Sequence, residues 1–241
     1  MIERISDIGN KRTLNEDTIG IHEDMKYNLF IVCDGMGGHN AGEVASAMAK
    51  DTVIGSMETG FDEQDPVSSM EHAVSLANDE IFALSLTDSH LNGMGTTVTA
   101  ALSFQGKLYV AHVGDSSLFW IRDQRIKKVT KDHSLVQELV DSGNLDQEDA
   151  KHHPNKNIIT RAVGTKNKVI VDTFVLDTTK EDIFVLCTDG LTDYVSDEEI
   201  LAIIIGQEDK KKAVVELKDL AIERGGKDNI TLVIFGGEAL K

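Results

Sequence analysis

Tyr27-Asn28-Leu29-Phe30-Ile31-Val32-Cys33-Asp34-Gly35-Met36-Gly37-Gly38-His39-Asn40-Ala41-Gly42 is the stretch on which the reading of this chain turns. Its first half is aromatic, aliphatic and β-branched, which predicts a buried strand over 27–34. The strand stops at Asp34, a glycine-rich loop follows over 35–42, and helical spacing sets in over 43–57. Val185-Leu186-Cys187-Thr188-Asp189-Gly190 repeats the arrangement, and Lys227-Asp228-Asn229-Ile230-Thr231 gives it again with asparagine after the aspartate. A lone Asp-Gly is ordinarily a turn; its recurrence beside apolar runs places each aspartate at the carboxyl end of a strand, on the rim of a buried sheet. Carboxylates gathered there repel one another and lose water, at a cost that cations remove. Hard divalent ions with oxygen ligands, Mg2+ or Mn2+ rather than zinc, fit that need. The leading reading is a metal-dependent hydrolase.

Working outward, residues 1–8 and 18–23 read as strands and 66–86 as a second long helix, with Pro66 in its first turn. Strands over 96–104, 107–113, 116–122 and 125–129 are separated by Gln105-Gly106, Gly114-Asp115 and Asp123-Gln124, the pattern of an antiparallel meander. The segment 132–157 is polar, His-rich and short-helical, and is expected to be a mobile surface flap. Strands over 169–176 and 182–187, helices over 196–205 and 209–224, and a strand over 230–235 complete the chain. A surplus of strands with helix pairs needing an apolar surface implies an α+β chain of two stacked sheets flanked by helices. No Gly/Ser/Pro linker divides it, so residues 1–241 are expected to form a single domain.

The 241 residues are 41% hydrophobic and carry a formal charge of −17, a balance that argues against a general nucleic-acid or anionic-membrane binder. It suits a soluble cytoplasmic chain kept monomeric by self-repulsion. The amino terminus alternates like a strand and lacks the apolar centre of a signal peptide, and the longest apolar run, 200–205, is far short of a membrane span. Cys33 and Cys187 are expected to lie buried near each other as small hydrophobes without a disulfide.

Asn15-Glu16-Asp17, Asp34-Gly35-Met36-Gly37-Gly38-His39, Gly93-Met94-Gly95-Thr96-Thr97, Val113-Gly114-Asp115-Ser116, Thr188-Asp189-Gly190-Leu191-Thr192 and Lys227-Asp228-Asn229-Ile230-Thr231 occur in this order. In that order the chain resembles, over essentially its whole length, the bacterial PPM-type (type 2C) metal-dependent protein serine/threonine phosphatases. The resemblance implies a four-layer α-β-β-α sandwich with mainly antiparallel sheets and two Mn2+ or Mg2+ ions at one end. It implies that Asp34 bridges the ions, that Gly35 offers its carbonyl to one, and that Asp189 and Asp228 hold the other. Asp115 matches a residue that, with Asp189, binds a third and weaker ion. Glu16 and Asp17 match outer acids that orient water, and Arg12 matches an arginine that grips the substrate phosphate. The guanidinium fork suits that last role.

His39 sits three residues beyond the place where animal relatives carry a histidine; it either protonates the leaving alkoxide or orients a water or the loop. His133, His152 and His153 lie in the flap, where solvated histidines are commonest, and His112 reads as packed in a strand. Thr96 and Thr97 are expected to support the metal shell by hydrogen bonds. The family usually has arginine after Val-Gly-Asp-Ser; Ser117 stands there in this chain. The implied partners are proteins phosphorylated on serine or threonine, including a Ser/Thr kinase that the enzyme would oppose. A phosphohydrolase of small phosphoesters would use the same ligands, and comparing phosphopeptides with small metabolites separates the two. A binding module without turnover would be expected to lack ligand carboxylates, and Asp34, Asp189 and Asp228 are all present.

Overall fold

The structure is a computed structural model that describes residues 1–37 and 41–241, with only the backbone described for Lys151, His152 and Glu238. In chain order the elements are β1 (Ile2–Asp7), β2 (Asp17–Glu23), β3 (Asn28–Met36), α1 (Ala41–Gly60), α2 (Pro66–Ser85), β4 (Gly95–Thr96), β5 (Val98–Phe104), β6 (Lys107–Val113), β7 (Ser117–Arg122) and β8 (Arg125–Lys128). Then come α3 (Leu135–Asp141), α4 (Gln147–His152), β9 (Asp172–Asp177), β10 (Ile183–Cys187), α5 (Asp189–Thr192), α6 (Asp197–Gly206), α7 (Lys210–Glu223) and β11 (Ile230–Gly236). Local chemistry sets the helix starts. Asp65 caps α2 by accepting from the Ser68 amide with Pro66 in the first turn, and Ser196 and Glu199 form a reciprocal capping box at α6.

Two antiparallel sheets result. One has the order β1-β11-β10-β7-β8; the other runs β2-β3-β5-β6-β9, with β4 paired to β3. Because side chains alternate along a strand, each buried strand feeds two cores. Phe30 and Val32 of β3 face Phe184, Leu186, Val233 and Phe235 across the inter-sheet space. The rings of Phe30 and Phe235 stack there with centroids 3.9 Å apart. The alternate residues Leu29, Ile31 and Cys33 pack outward with Ala45, Ala49 and Val53 of α1 and Met70, Val74 and Ile81 of α2. On the opposite face Val185, Cys187, Leu232 and Ile234 pack with Ile200 and Ile204 of α6 and Val214 and Leu217 of α7. The layers are therefore helix, sheet, sheet, helix, the architecture expected.

Several local expectations are corrected. Cys33 and Cys187 are free and buried, but they lie in opposite outer cores with both sheets between them. The strand holding Asp34 runs on to Met36, because Gly35 and Met36 pair with Thr96 and Gly95. Asp228 does not end a strand; it precedes β11. The four strands read as one meander belong to two sheets. The chain crosses between them at Gly114-Asp115-Ser116, where Gly114 takes φ +114° and an added Cβ would lie 2.5 Å from Thr97. The turns Gln105-Gly106 and Asp123-Gln124 have positive φ at both residues and close true hairpins.

Candidate metal centre

Antiparallel pairing explains how aspartates of different strand position reach one rim. Cys187 of β10 faces Leu232 of β11, and the Thr188 amide donates to the Thr231 carbonyl at 3.0 Å, so the end of β10 lies beside the start of β11. The end of β1 joins them through Asp7 opposite Ile230. In the other sheet Asp17, at the start of β2, pairs with Asp34. The glycines after two aspartates serve close approach of backbones. A Cβ on Gly35 would sit 2.1 Å from the Gly42 carbonyl oxygen, and one on Gly190 would sit 1.9 Å from that of Asn229.

Asp34 is clamped through its backbone. Its amide donates to Thr97 Oγ1 at 2.8 Å, and its carbonyl accepts from Thr96 Oγ1 and from the Thr97 amide, both at 2.9 Å. Burial, then the charges of Asp17, Asp189, Asp115 and Asp228, hold the Asp34 carboxyl well above the ordinary carboxylate range. Burial followed by Asp115, Asp193, Asp228 and Asp17 does the same to Asp189. Asp17 is pushed up to about 7, chiefly by burial, although Thr188 Oγ1 donates to its Oδ2 at 2.9 Å. Asp115, 8% exposed, is also pushed up to about 7 by burial and by Asp132. Asp17, Asp115 and Asp228 thus lie within electrostatic reach of both Asp34 and Asp189.

Arg12 is a cation at this rim. Its side chain is 46% exposed and donates through Nη2 to Asp228 Oδ2 at 2.8 Å and through Nη1 to Glu16 Oε2 at 3.4 Å. The Asp228 hydrogen bond raises the guanidinium pKa further, while burial raises that of Glu16. His39 lies outside the described residues. Ser117 is buried opposite Cys187, and its Oγ has no hydrogen-bond partner among the described residues.

Asp115 and Asp189 open into a groove of about 1310 Å³ between the segment 132–157 and the start of α6. Lys156 and Asp193 span it with an ion pair of 2.7 Å. His133, read as a solvated loop residue, is buried instead. Its Nδ1 accepts from the Gly114 amide at 2.9 Å and its Nε2 lies 3.1 Å from Asp172 Oδ2, tying this segment to the strand crossing beside Asp115. The contacts of His133, Thr188, Asp193 and Asn229 were not anticipated; Asp132-His133 and Asp228-Asn229 carry no local periodicity that would have shown them.

The residues fit hard divalent ions. Asp17 Oδ1, Asp115 Oδ1 and Asp189 Oδ1 are buried without a donor among the described residues, so oxygen acceptors stand ready. Among the described residues no group of three or more His, Cys, Asp or Glu side chains is arranged to hold an ion by itself.

Comparison with known proteins agrees. The family model described as Protein phosphatase 2C matches residues 9–217. The serine/threonine phosphatase Stp of Listeria innocua is 38% identical over 237 residues, covering 95% of this chain and 92% of its own. The solved Staphylococcus aureus serine/threonine phosphatase Stp1 superposes with a TM-score of 0.92 at 33% identity, covering 98% of this chain and 94% of its own. The catalytic domain of the serine/threonine protein phosphatase PstP, solved in complex with two manganese ions, gives a TM-score of 0.85 at 34% identity, covering 97% and 96%. With the sandwich, the acidic rim and the matched motifs in agreement, this chain belongs to the protein phosphatase 2C family.

Proposed function

We propose that residues 1–241 act as one metal-dependent protein serine/threonine phosphatase domain that hydrolyses phosphoserine and phosphothreonine in proteins. The supporting observation is the acidic rim: Asp34 and Asp189, half-buried and both crowded by Asp17, Asp115 and Asp228, with the Arg12 guanidinium bonded to Asp228. Two Mn2+ or Mg2+ ions, held by Asp34, the Gly35 carbonyl, Asp189 and Asp228, would supply an activated water and neutralise phosphate charge. Asp115 with Asp189 would take a third ion. Asp17, oriented by Thr188, and Glu16 hold water at the rim, and Thr96 fixes the backbone of Asp34. Arg12 presents its fork to the phosphate, and His39 would either protonate the leaving oxygen or orient a water or the loop.

The groove beside the segment 132–157 gives the protein portion of the substrate a path away from the carboxylates, which favours phosphoproteins over small phosphoesters. The enzyme opposes a Ser/Thr kinase and works as a cytoplasmic monomer. No helix among the described residues is long and apolar enough to cross a membrane.

The test is release of phosphate from phosphoserine, phosphothreonine and phosphotyrosine peptides and a small phosphoester, with Mn2+ and with chelator. The first two peptides should be turned over only with Mn2+. Preference for the small ester, or turnover in chelator, would overturn the reading. Arg12→Ala should raise KM about tenfold to a hundredfold, the worth of one charged hydrogen-bonded contact, while Mn2+ affinity holds. Weakened Mn2+ affinity alone would contradict the assignment of Arg12 to phosphate.

A further inference from the structure

The loop between Ile8 and Glu16, which carries Arg12, has no regular structure of its own, yet both of its ends are bonded to one side chain. Asn229 is 3% exposed. Its Nδ2 donates to the Ile8 carbonyl at 2.9 Å and to the Leu14 carbonyl at 3.0 Å, and its Oδ1 accepts from the Glu16 amide at 2.8 Å. Both amide hydrogens and the amide oxygen are thereby used, with polarities only asparagine matches at this length. The Asn229 amide also donates to Asp228 Oδ1 at 2.8 Å, so the residue that staples the loop also orients the carboxylate on which Arg12 rests.

A second asparagine holds the same loop from outside. The Asn10 amide donates to the Gly226 carbonyl, and its Nδ2 donates to the carbonyls of Ile222 at 2.9 Å and Gly225 at 3.1 Å. Gly9, at φ +77°, lets the backbone pass where a Cβ would fall 2.1 Å from the Asp228 carbonyl oxygen. The loop is thus seated on the turn that leads into β11. Side-chain amides saturating backbone groups are a means of giving an irregular segment one conformation.

We propose that Asn229 and Asn10 are positioning residues that hold the 9–15 loop against the 225–229 turn, and so set the place of the Arg12 fork relative to Asp228. They contact no phosphate themselves; their effect passes through Arg12. The inference rests on the phosphate-gripping role given to Arg12 above.

A double-mutant cycle tests it, because residues acting through one group give non-additive effects. The readouts are KM for a phosphothreonine peptide, the Kd of inorganic phosphate for the Mn2+-loaded chain, and Mn2+ affinity by calorimetry. Asn229→Asp keeps the acceptor for the Glu16 amide but sets an oxygen against two carbonyls. It should raise KM and phosphate Kd about tenfold, with kcat and Mn2+ affinity within about threefold. Asn10→Ala should raise both about threefold. In an Arg12→Ala background neither change should add a further rise. An equal rise in that background, or unchanged KM and phosphate Kd in the single variants, overturns the proposal. If Asn229→Asp does not fold, the exposed Asn10→Ala decides by the same comparison. A wild-type chain that binds phosphate but turns over no phosphopeptide would refute the functional reading, while the phosphate arm still decides this one.

Discussion

Asp34→Ala is expected to lower Mn2+-dependent kcat/KM on a phosphothreonine peptide by about a thousandfold or more, some 4 kcal/mol of transition-state stabilisation. The size follows from position. Asp34 is proposed to touch both ions, so its loss removes the ligand that holds them at a working separation. The Asp34 backbone is held by Thr96 and Thr97 through its amide and carbonyl, none of which the substitution removes. The variant should therefore keep its fold. Its metal-free form should also tolerate high pH better than the parent, because a desolvated, like-charge-crowded carboxylate is gone. Turnover within a few fold of the parent, measured as phosphate released at saturating Mn2+, would refute the bridging role.

The second large effect is on stability. Asp17 and Asp115 ionise near 7 in the folded chain without metal, against an ordinary value of 3.8, and Asp34 and Asp189 are also held well above it. Raised carboxyl pKa values mean that the folded state binds more protons than the unfolded one between those limits. Stability tied to the protonated carboxyls is complete below 3.8, declines as pH rises, and is lost above about 7. The metal-free chain should accordingly have a lower Tm at pH 8 than at pH 5.5. Divalent cations reverse the term by supplying the missing counter-charge. At a hundred times its Kd, Mn2+ adds about 2.7 kcal/mol. For a chain of this size that corresponds to a rise in Tm of about 5–10 °C at pH 8, and a smaller rise at pH 5.5, where protons compete. Calorimetric melting at the two pH values with and without Mn2+ checks this; an Mn2+ effect greater at pH 5.5 would contradict it.

Much of the architecture was legible because it is written locally. Period-2 and apolar runs located the strands, Pro66 marked a helix start, and helix pairs beside surplus strands implied layers. What could not be read is what long-range pairing decides. Asp228 reaches the rim only because β11 runs antiparallel to β10. Gly114-Asp115 looks like a hairpin turn, and only the sheet partners of β6 and β7 show it to be a crossing between sheets. Cys33 and Cys187 each lie just before an aspartate, yet the sandwich points them into opposite outer cores.

The candidate site divides in the same way. Aspartates beside glycines stand out in sequence because their side-chain chemistry is conspicuous and their spacing matches a family pattern. Residues that act through backbone partners far along the chain leave no such mark. Asn229 meets Ile8 and Leu14 more than two hundred residues away. His133 reads as a polar loop histidine until Gly114 and Asp172 are seen against it.

The most direct test of the central claim is an anomalous difference map at the manganese edge from crystals of the chain grown with Mn2+. The account places two strong peaks among the Asp34 carboxylate, the Gly35 carbonyl, Asp189 and Asp228. Peaks elsewhere, or none at that rim with Mn2+ in excess, would contradict it.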